Sequence, residues 1–447
     1  MKKIIFFIAI LSTLMACKKT SYVAKFDKTP QERAADQISL VSTTLTGATN
    51  GWIATLPTRA GGGYAFYLSF DNQQNVKMYG DLNDASATTF ATSYYRVKQD
   101  IGTDLVFDSY SYLAMLNDPN SAVLGGQDKI GYQSDVDFTF DKIVGDSILF
   151  IGKKYRQAFK LVKATAAQKA IYEANGYKTA IDKFKAFFTT VKYPYIEIVS
   201  GTTTLKTGVN VNLTNNLAAG KRAGLTGVLA DGKTIGSGNQ KMALTLDGAV
   251  ILNSGLTYEG IIFTKFAWKD ANTLALYDTT GKEYIILSSV NSVTPLHLLI
   301  GTSYGNVTLP NGTTYPGWGA DYVSRRATAA TAMLTGGYNL RLEQMQFQFN
   351  NVTKKMVLKV NMPQNTTQYV GTINYTYTKT DAGVYKFNFV DADGNGAICV
   401  QFMTALLAQR INVDTFTVDY LVHPTTGALL AVFTSVQNPT FSFAGTI

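Results

Sequence analysis

Along this chain, apolar and polar residues alternate in short runs, and helical spacing appears in only a few places. The clearest run is 135–141. There Val136, Phe138 and Phe140 face one way while Asp135, Asp137, Thr139 and Asp141 face the other, which is the two-residue period of a half-buried strand. Comparable runs predict strands at 64–70, 76–79, 94–98, 105–107, 147–151 and 158–162. In the middle of the chain they predict 243–246, 261–268, 273–277 and 283–287, and the stretch 201–240, rich in Thr, Asn, Gly and Lys, reads as long hairpins or loops. Further strands are predicted at 344–349, 355–360, 369–377, 384–390, 416–422 and 429–434.

Four segments carry helical signals. Thr29-Pro30-Gln31-Glu32 is a capping box with proline at the first helical position, and Ala34, Ile38 and Val41 follow at helical spacing. The stretch 164–188 reads as a helix broken at Gly176, 320–334 as one ended by Gly336-Gly337, and 403–410 as a short one.

Laid end to end, the pattern repeats. Phe66 to Asn72 aligns with Met345 to Asn351, Tyr95 to Gly102 with the stretch ending at Gly383, and Gly62-Gly63-Tyr64 with Gly336-Gly337-Tyr338. Each copy reads as a helix, a glycine pair, then an antiparallel meander. A meander of seven or eight short strands must hide its edges, so the fold class is mainly β, with repeated antiparallel meanders closing as barrels or sandwiches and a few helices preceding or linking them. Asn50, Gly51 and Trp52 also resemble the opening of a lipocalin-type barrel. The division expected is 1–16 signal peptide, 17–28 tether, 29–163 helix plus β domain, 164–194 helical connector, 195–318 middle β region, and 319–447 helix plus β domain.

The first residues change the picture from fold to address. Lys2 and Lys3 precede an apolar stretch from Ile4 to Leu11, then Leu14-Met15-Ala16 leads into Cys17. The apolar stretch is too short to span about 30 Å of hydrocarbon, and the order of charge, apolar run, small residue and cysteine matches a lipoprotein signal with Cys17 as the lipid-attachment residue. Several acyl chains would hold the protein on a membrane, where one alone binds weakly. Lys18 and Lys19 follow, leaving the membrane face undecided.

Composition narrows the chemistry. Only 16% of the 447 residues are charged, against about 25% in an ordinary domain, so uncharged polar groups must cover the surface. His297 and His423 are the whole histidine supply, which argues against a multi-histidine metal site and a Ser-His-Asp triad. Cys399 is the only other cysteine and sits in an apolar run as a core residue. The formal charge of +9 falls to +7 once Lys2 and Lys3 are removed, and the lysines are scattered, so no nucleic-acid partner is expected.

Three constellations remain as candidates. Tyr315, Trp318 and Tyr322 lie in a turn-rich loop and are the candidate ligand contacts, since exposed rings stack on apolar sugar faces; a connector packed onto the core is the alternative. Asp391, Asp393 and Asn395 match the first half of a calcium loop, but Phe402 stands where the bidentate Glu belongs, and a hairpin turn is the preferred reading. Asp135 and Asp137 fall about 6.6 Å apart on one strand face, a spacing suited to glycoside hydrolysis or simply to a solvated face. Trp52 and Trp268 are read as core. No catalytic residue, resident metal or cofactor is assigned.

Phe26-Asp27 leading to Glu32-Arg33, Asn50-Gly51-Trp52, Gly62-Gly63-Tyr64-Ala65-Phe66, Phe107-Asp108-Ser109-Tyr110, Asp118-Pro119, Asp137-Phe138 and Gly152-Lys153-Lys154 together resemble an uncharacterised family of Bacteroidota lipoproteins, domain-of-unknown-function family 4302. The resemblance implies an outer-membrane lipoprotein associated with glycan or nutrient uptake, with no activity attached. The function expected is a lipid-anchored, non-enzymatic binding accessory whose partners are the membrane and a glycan or an outer-membrane transporter complex. The alternatives are a glycan-active hydrolase and a structural subunit of an outer-membrane complex. Cys17→Ser is expected to move the protein from the membrane pellet to the soluble fraction; retention in the pellet would exclude the lipid anchor.

Overall fold

The computed structural model describes residues 27–447, so the expected signal peptide, Cys17 and most of the expected tether lie outside the described residues. The alternating runs fold into three antiparallel β units in chain order. Helix α1 (Pro30–Thr46) leads into the first unit. Its Thr29 capping box forms as expected, with the Thr29 side chain accepting from Glu32 N and the Glu32 carboxylate accepting from Thr29 N.

Eight strands then close a barrel: β1 (Trp52–Pro57), β2 (Gly63–Phe70), β3 (Asn75–Gly80), β4 (Ala91–Gln99), β5 (Thr103–Phe107), β6 (Asp137–Val144), β7 (Ser147–Gly152) and β8 (Ala158–Lys163), with β1 pairing β8 to close the ring. Three short helices interrupt it: α2 (Asp84–Thr88), α3 (Tyr112–Met115) and α4 (Ser121–Leu124). The interior is packed with Phe66, Leu68, Phe70, Met78, Phe107, Phe138, Phe150, Phe159 and Leu161, and Val41 and Leu45 of α1 join that cluster. Trp52 is buried and donates its indole N–H to Leu45 O (3.0 Å), tying the helix to the first strand. The barrel's lumen is filled with side chains.

Helices α5 (Ala166–Glu173) and α6 (Gly176–Thr190) follow, the break falling at Ala174-Asn175 beside the expected Gly176. They lead into a nine-stranded sheet made of β9 (Tyr195–Ser200), β10 (Thr203–Asn212), β11 (Arg222–Val228), β12 (Ile235–Thr245), β13 (Gly248–Ile251), β14 (Leu256–Tyr258), β15 (Ile261–Trp268), β16 (Leu274–Asp278) and β17 (Glu283–Ile285). Tyr195 and Leu287 exchange both backbone hydrogen bonds (3.0 and 2.8 Å), so the sheet's two ends meet. Three of these strands occupy the stretch read as long hairpins or loops, and they form hairpins. Thr207, Val209, Ala223 and Leu225 point inward while Asn210, Asn212 and Ser237 stay on the outer face, so short polar side chains hid a regular alternation. Phe184 and Phe188 of α6 pack against Phe266, and Phe187 against Trp268.

Helix α7 (Leu296–Leu299) leads into the third unit. It is a closed barrel of β18 (Asn306–Leu309), β19 (Met345–Asn350), β20 (Lys355–Asn361), β21 (Val370–Lys379), β22 (Tyr385–Ala392), β23 (Thr415–Val422), β24 (Leu429–Ser435) and β25 (Ser442–Thr446), carrying α8 (Ala320–Thr335) and α9 (Gly394–Phe402). The repeat falls on equivalent elements, since Phe66–Asn72 and Met345–Asn351 belong to the second strand of each barrel and Tyr95 and Tyr377 to the fourth. The order of parts differs from the expectation in one respect. The long helix precedes the first strand of the first barrel but lies between the first and second strands of the third. The third lumen is also filled, with Phe433 stacked between Phe349 (5.6 Å, 7°) and Phe443 (5.3 Å, 10°).

The first barrel docks on the middle sheet around one buried ion pair. Lys221 Nζ donates to Asp81 Oδ2 (2.7 Å) and Asp81 O (2.8 Å), while Asp81 accepts from Ala65 N (3.0 Å) in β2 and Leu244 N (2.8 Å) in β12. Both side chains are almost wholly buried, at 2% and 0% exposure. Burial pushes the Lys221 ammonium below its ordinary value, and the Asp81 charge opposes that shift. The strands approach closely because Gly62 and Gly63 lack side chains: a Cβ at 62 would lie 2.5 Å from Gly220 O, and one at 63 only 2.7 Å from Met242 O.

Removing one member of a buried pair strands the other charge. Asp81→Ala also orphans the Ala65 and Leu244 N–H groups, so we expect it to cost about 3–5 kcal/mol in urea unfolding. Lys221→Met leaves Asp81 its two backbone donors and should cost less. The reverse ranking would show that the pair does not hold the interface.

Candidate functional site

The structure scatters the sequence candidates into structural roles. Tyr322 is fully buried against Trp318, Phe441 and Phe443, and Trp318 donates its indole N–H to Ala444 O (2.9 Å), while Tyr315 leans on the His423 ring (5.3 Å). The expectation that these three rings form an exposed ligand platform is therefore corrected. Gly319 starts helix α8 just after Trp318, and the ring of Tyr322, in its first turn, has only the barrel end to pack against.

Asp391, Asp393 and Asn395 do not converge as a cation cage. Asp393 is the N-cap of α9 and accepts from Gly396 N (2.5 Å) and Thr372 N (3.1 Å); Asp391 accepts from Asn374 Nδ2 (2.6 Å); and Asn395 Nδ2 donates to Val370 O (3.2 Å). Neither a calcium loop nor a hairpin turn describes them, because the segment opens a helix nine residues before the helix expected at 403, and 407–411 forms a π-helical turn. No group of three or more potential ligands for a metal occurs among the described residues.

Asp135 and Asp137 also separate. Asp135 precedes β6, is buried, and accepts from Lys154 N (2.8 Å) and Tyr155 N (3.0 Å), so its carboxylate organises the 153–156 turn and is not on a solvated face. Cys399 is fully buried, and burial pushes its thiol up to about 12, which keeps it protonated. His297 lies at the end of α7 with its carbonyl accepting from Lys379 Nζ and Tyr385 Oη, and burial pushes its imidazole below the ordinary value.

With both flanking lumens filled, space for a ligand lies between the β units. Two adjoining cavities, about 450 and 1110 Å³, open where the middle sheet meets the third barrel, and Tyr193 lines both. The smaller is walled by Tyr193, Asn210, Thr226, Ser292, Thr294 and Tyr304; the larger by Lys192, Ser288, Ser289, Asn291, Tyr420 and Val422. Tyr420 donates to Thr294 O (3.0 Å), and burial together with neighbouring Tyr304 and Tyr193 pushes its phenol up to about 12. The Tyr420 phenol therefore stays a neutral donor at ordinary pH.

Tyr193 adopts φ +44°, a left-handed backbone that costs a bulky residue energy and is held only by its surroundings. Ser288 Oγ and Ser289 N both bond to Lys192 O (2.9 and 3.1 Å), fixing the two cleft-lining segments to one another. The combined lining offers hydroxyls, amides, phenol rings and one ammonium group. Its members come from segments more than 200 residues apart in the chain, which is why no local motif announced them. The positive φ at Tyr193 carries no sequence signature either, since tyrosine is not a turn former.

The family model of a domain of unknown function (DUF4302) matches residues 24–270, a span that holds the whole first barrel and the middle sheet through β15. No curated protein matches the chain.

Because Asp393 acts as a helix cap, Asp393→Ala should cost about 1 kcal/mol. Thermal unfolding should show the same loss with calcium present or chelated. A calcium-dependent rise in the midpoint that disappears in the variant would restore the cation loop.

Proposed function

The chain belongs to the DUF4302 family, and from that premise we propose that it is a lipid-anchored cell-envelope protein of the Bacteroidota that binds a saccharide without turning it over, as an accessory in glycan or nutrient acquisition. The residues leading to Cys17 support the anchor. The observation that carries the binding reading is the tyrosine-lined cleft between the middle sheet and the third barrel.

Its chemistry suits a neutral polyol. Phenol rings cover apolar sugar faces, while serine and threonine hydroxyls and the Asn210 and Asn291 amides exchange hydrogen bonds with ring hydroxyls. Among the described residues the lining contains no carboxylate, imidazole or thiol, which supports retention without a proton donor matched to glycosidic cleavage. Val290, 85% exposed, and Val422 sit on the rim of the larger cavity, where an apolar edge excludes water from a seated ligand.

Screening the soluble form, from Lys18 onward, against neutral oligosaccharides is expected to give saturable binding with no released product. Tyr420→Ala should weaken the best binder at least about tenfold, equivalent to ~1.4 kcal/mol, by calorimetry. Product release would favour a hydrolase. Capture of an outer-membrane transporter without any saccharide affinity would favour the assembly role.

A further inference from the structure

Beyond the cleft, the outer face of β10, β11 and β12 forms an ordered polar surface. Strand pairing places Asn210, Gly224 and Asn239 in one row and Asn212, Arg222 and Lys241 in the next, all on the same side of the sheet. Neighbouring strands are about 4.8 Å apart and successive rows about 6.7 Å, so the two rows span a patch of sugar-ring size. A cavity of about 600 Å³ lies on it, lined by Asn210, Asn212, Arg222, Gly224 and Asn239 among others.

The glycine keeps this floor open. A Cβ at 224 would stand 3.8 Å from Asn210 Cβ and 3.7 Å from Asn239 Cβ, filling the gap between the two amides. Asn210 also lines the tyrosine cleft, and a Cβ at Gly208 would come within 3.7 Å of Val293 Cγ2 of that cleft, so the two regions are continuous along β10.

The end against the first barrel is cationic and uncompensated. Arg222 Nη2 donates to Gly61 O (3.3 Å), and Lys241 Nζ donates to Thr58 O and to Arg59 O (3.2 Å). Those partners are neutral carbonyls. Neither side chain has a carboxylate partner among the described residues, and Arg222 Nε is buried with no hydrogen-bond partner there. Burial and the adjacent Arg222 charge push the Lys241 ammonium down to about 8, as expected for two cations that no local anion relieves.

We propose that this face binds the carboxylate of an acidic saccharide residue, with Arg222 and Lys241 neutralising the charge and Asn210, Asn212 and Asn239 reading the hydroxyls beside it. The proposal rests on the saccharide reading of the adjoining cleft and narrows its ligand to a uronate-containing chain. A guanidinium fork matches a planar carboxylate, and side-chain amides both donate and accept, as sugar hydroxyls require.

The test compares trigalacturonate with its fully methyl-esterified form, which keeps the shape and removes the charge, titrated into the soluble form from Lys18 onward. The free acid should bind at least about tenfold tighter. Arg222→Gln should abolish that difference. Asn239→Asp, on an exposed position away from the interface, should weaken the acid more than the ester, which guards against a folding defect in the arginine variant. Equal binding of acid and ester, or a preference that survives both variants, overturns this proposal and leaves the cleft reading standing. Binding of neither form overturns this proposal, while the screen against neutral oligosaccharides decides the cleft reading. Tighter association with phosphatidylglycerol vesicles than with the free acid would assign the cations to a lipid surface and also overturn it.

Discussion

The contact between Asp81 and Lys221 is the constraint on which the arrangement of the first two units depends. Asp81 sits just past β3 of the first barrel, yet its carboxylate takes one hydrogen bond from β2 and one from β12 in addition to the ammonium. Burying two charges is costly, and an apolar pair of similar volume would often be as stable. What the charged pair adds is register. The carboxylate accepts in directions fixed by two backbone N–H groups on different units, so sliding the barrel by one residue would leave the middle sheet's two donors, Lys221 Nζ and Leu244 N, unmet. The glycines at 62 and 63 permit that approach, and Tyr132 adds a hydroxyl donated to Asn215 O while Asn215 Nδ2 reaches Leu82 O (2.8 Å).

That docking also shapes the surface proposed to bind acidic saccharide. The carbonyls that hold Arg222 and Lys241 belong to the 58–61 loop between β1 and β2, the loop that precedes the interfacial glycines. Without the first barrel in place, the two cations would have no scaffold and would turn to water. The opposite end of the same sheet face depends on the third barrel, whose Tyr420 and the preceding 288–304 segment complete the cleft. The middle sheet therefore provides a floor, and its neighbours provide the two ends.

Much of the β architecture was legible because its strands obey a strict two-residue period wherever large apolar residues fill a lumen. Phe138, Phe347, Phe387 and Phe433 all announce themselves in this way. The period was invisible in β10 to β12, where inward positions such as Thr207, Ala223 and Gly227 are small or polar and turn formers are frequent. The short strands β18 and β25 were missed for a different reason: runs of four or five residues give too little pattern to separate from loop. Candidate chemistry was the least legible level. Tyr315, Trp318 and Tyr322 lie close together in the chain and suggested a platform, but Tyr322 is buried, Trp318 packs half-buried against the core and Tyr315 rests on His423. The tyrosines that do line a cleft, 193, 304 and 420, share no segment at all.

The span of the family match gives the last step its force. Residues 24–270 include the ion pair, its glycines and the cationic face, while the cleft takes lining from both inside and outside that span. Thr190, Lys192 and Tyr193 lie within it; Ser288, Asn291, Tyr420 and Val422 lie beyond it. Substitution in the latter group would reshape the cleft without touching the Asp81–Lys221 contact or the floor of β10 to β12. Two parts of one surface thus answer to different physical demands. The end near the first barrel is tied to the interface that joins the first two units, whereas the end near the third barrel carries no such tie. The filled lumens point the same way, since barrels packed solid with phenylalanine can recognise nothing inside and act here as walls.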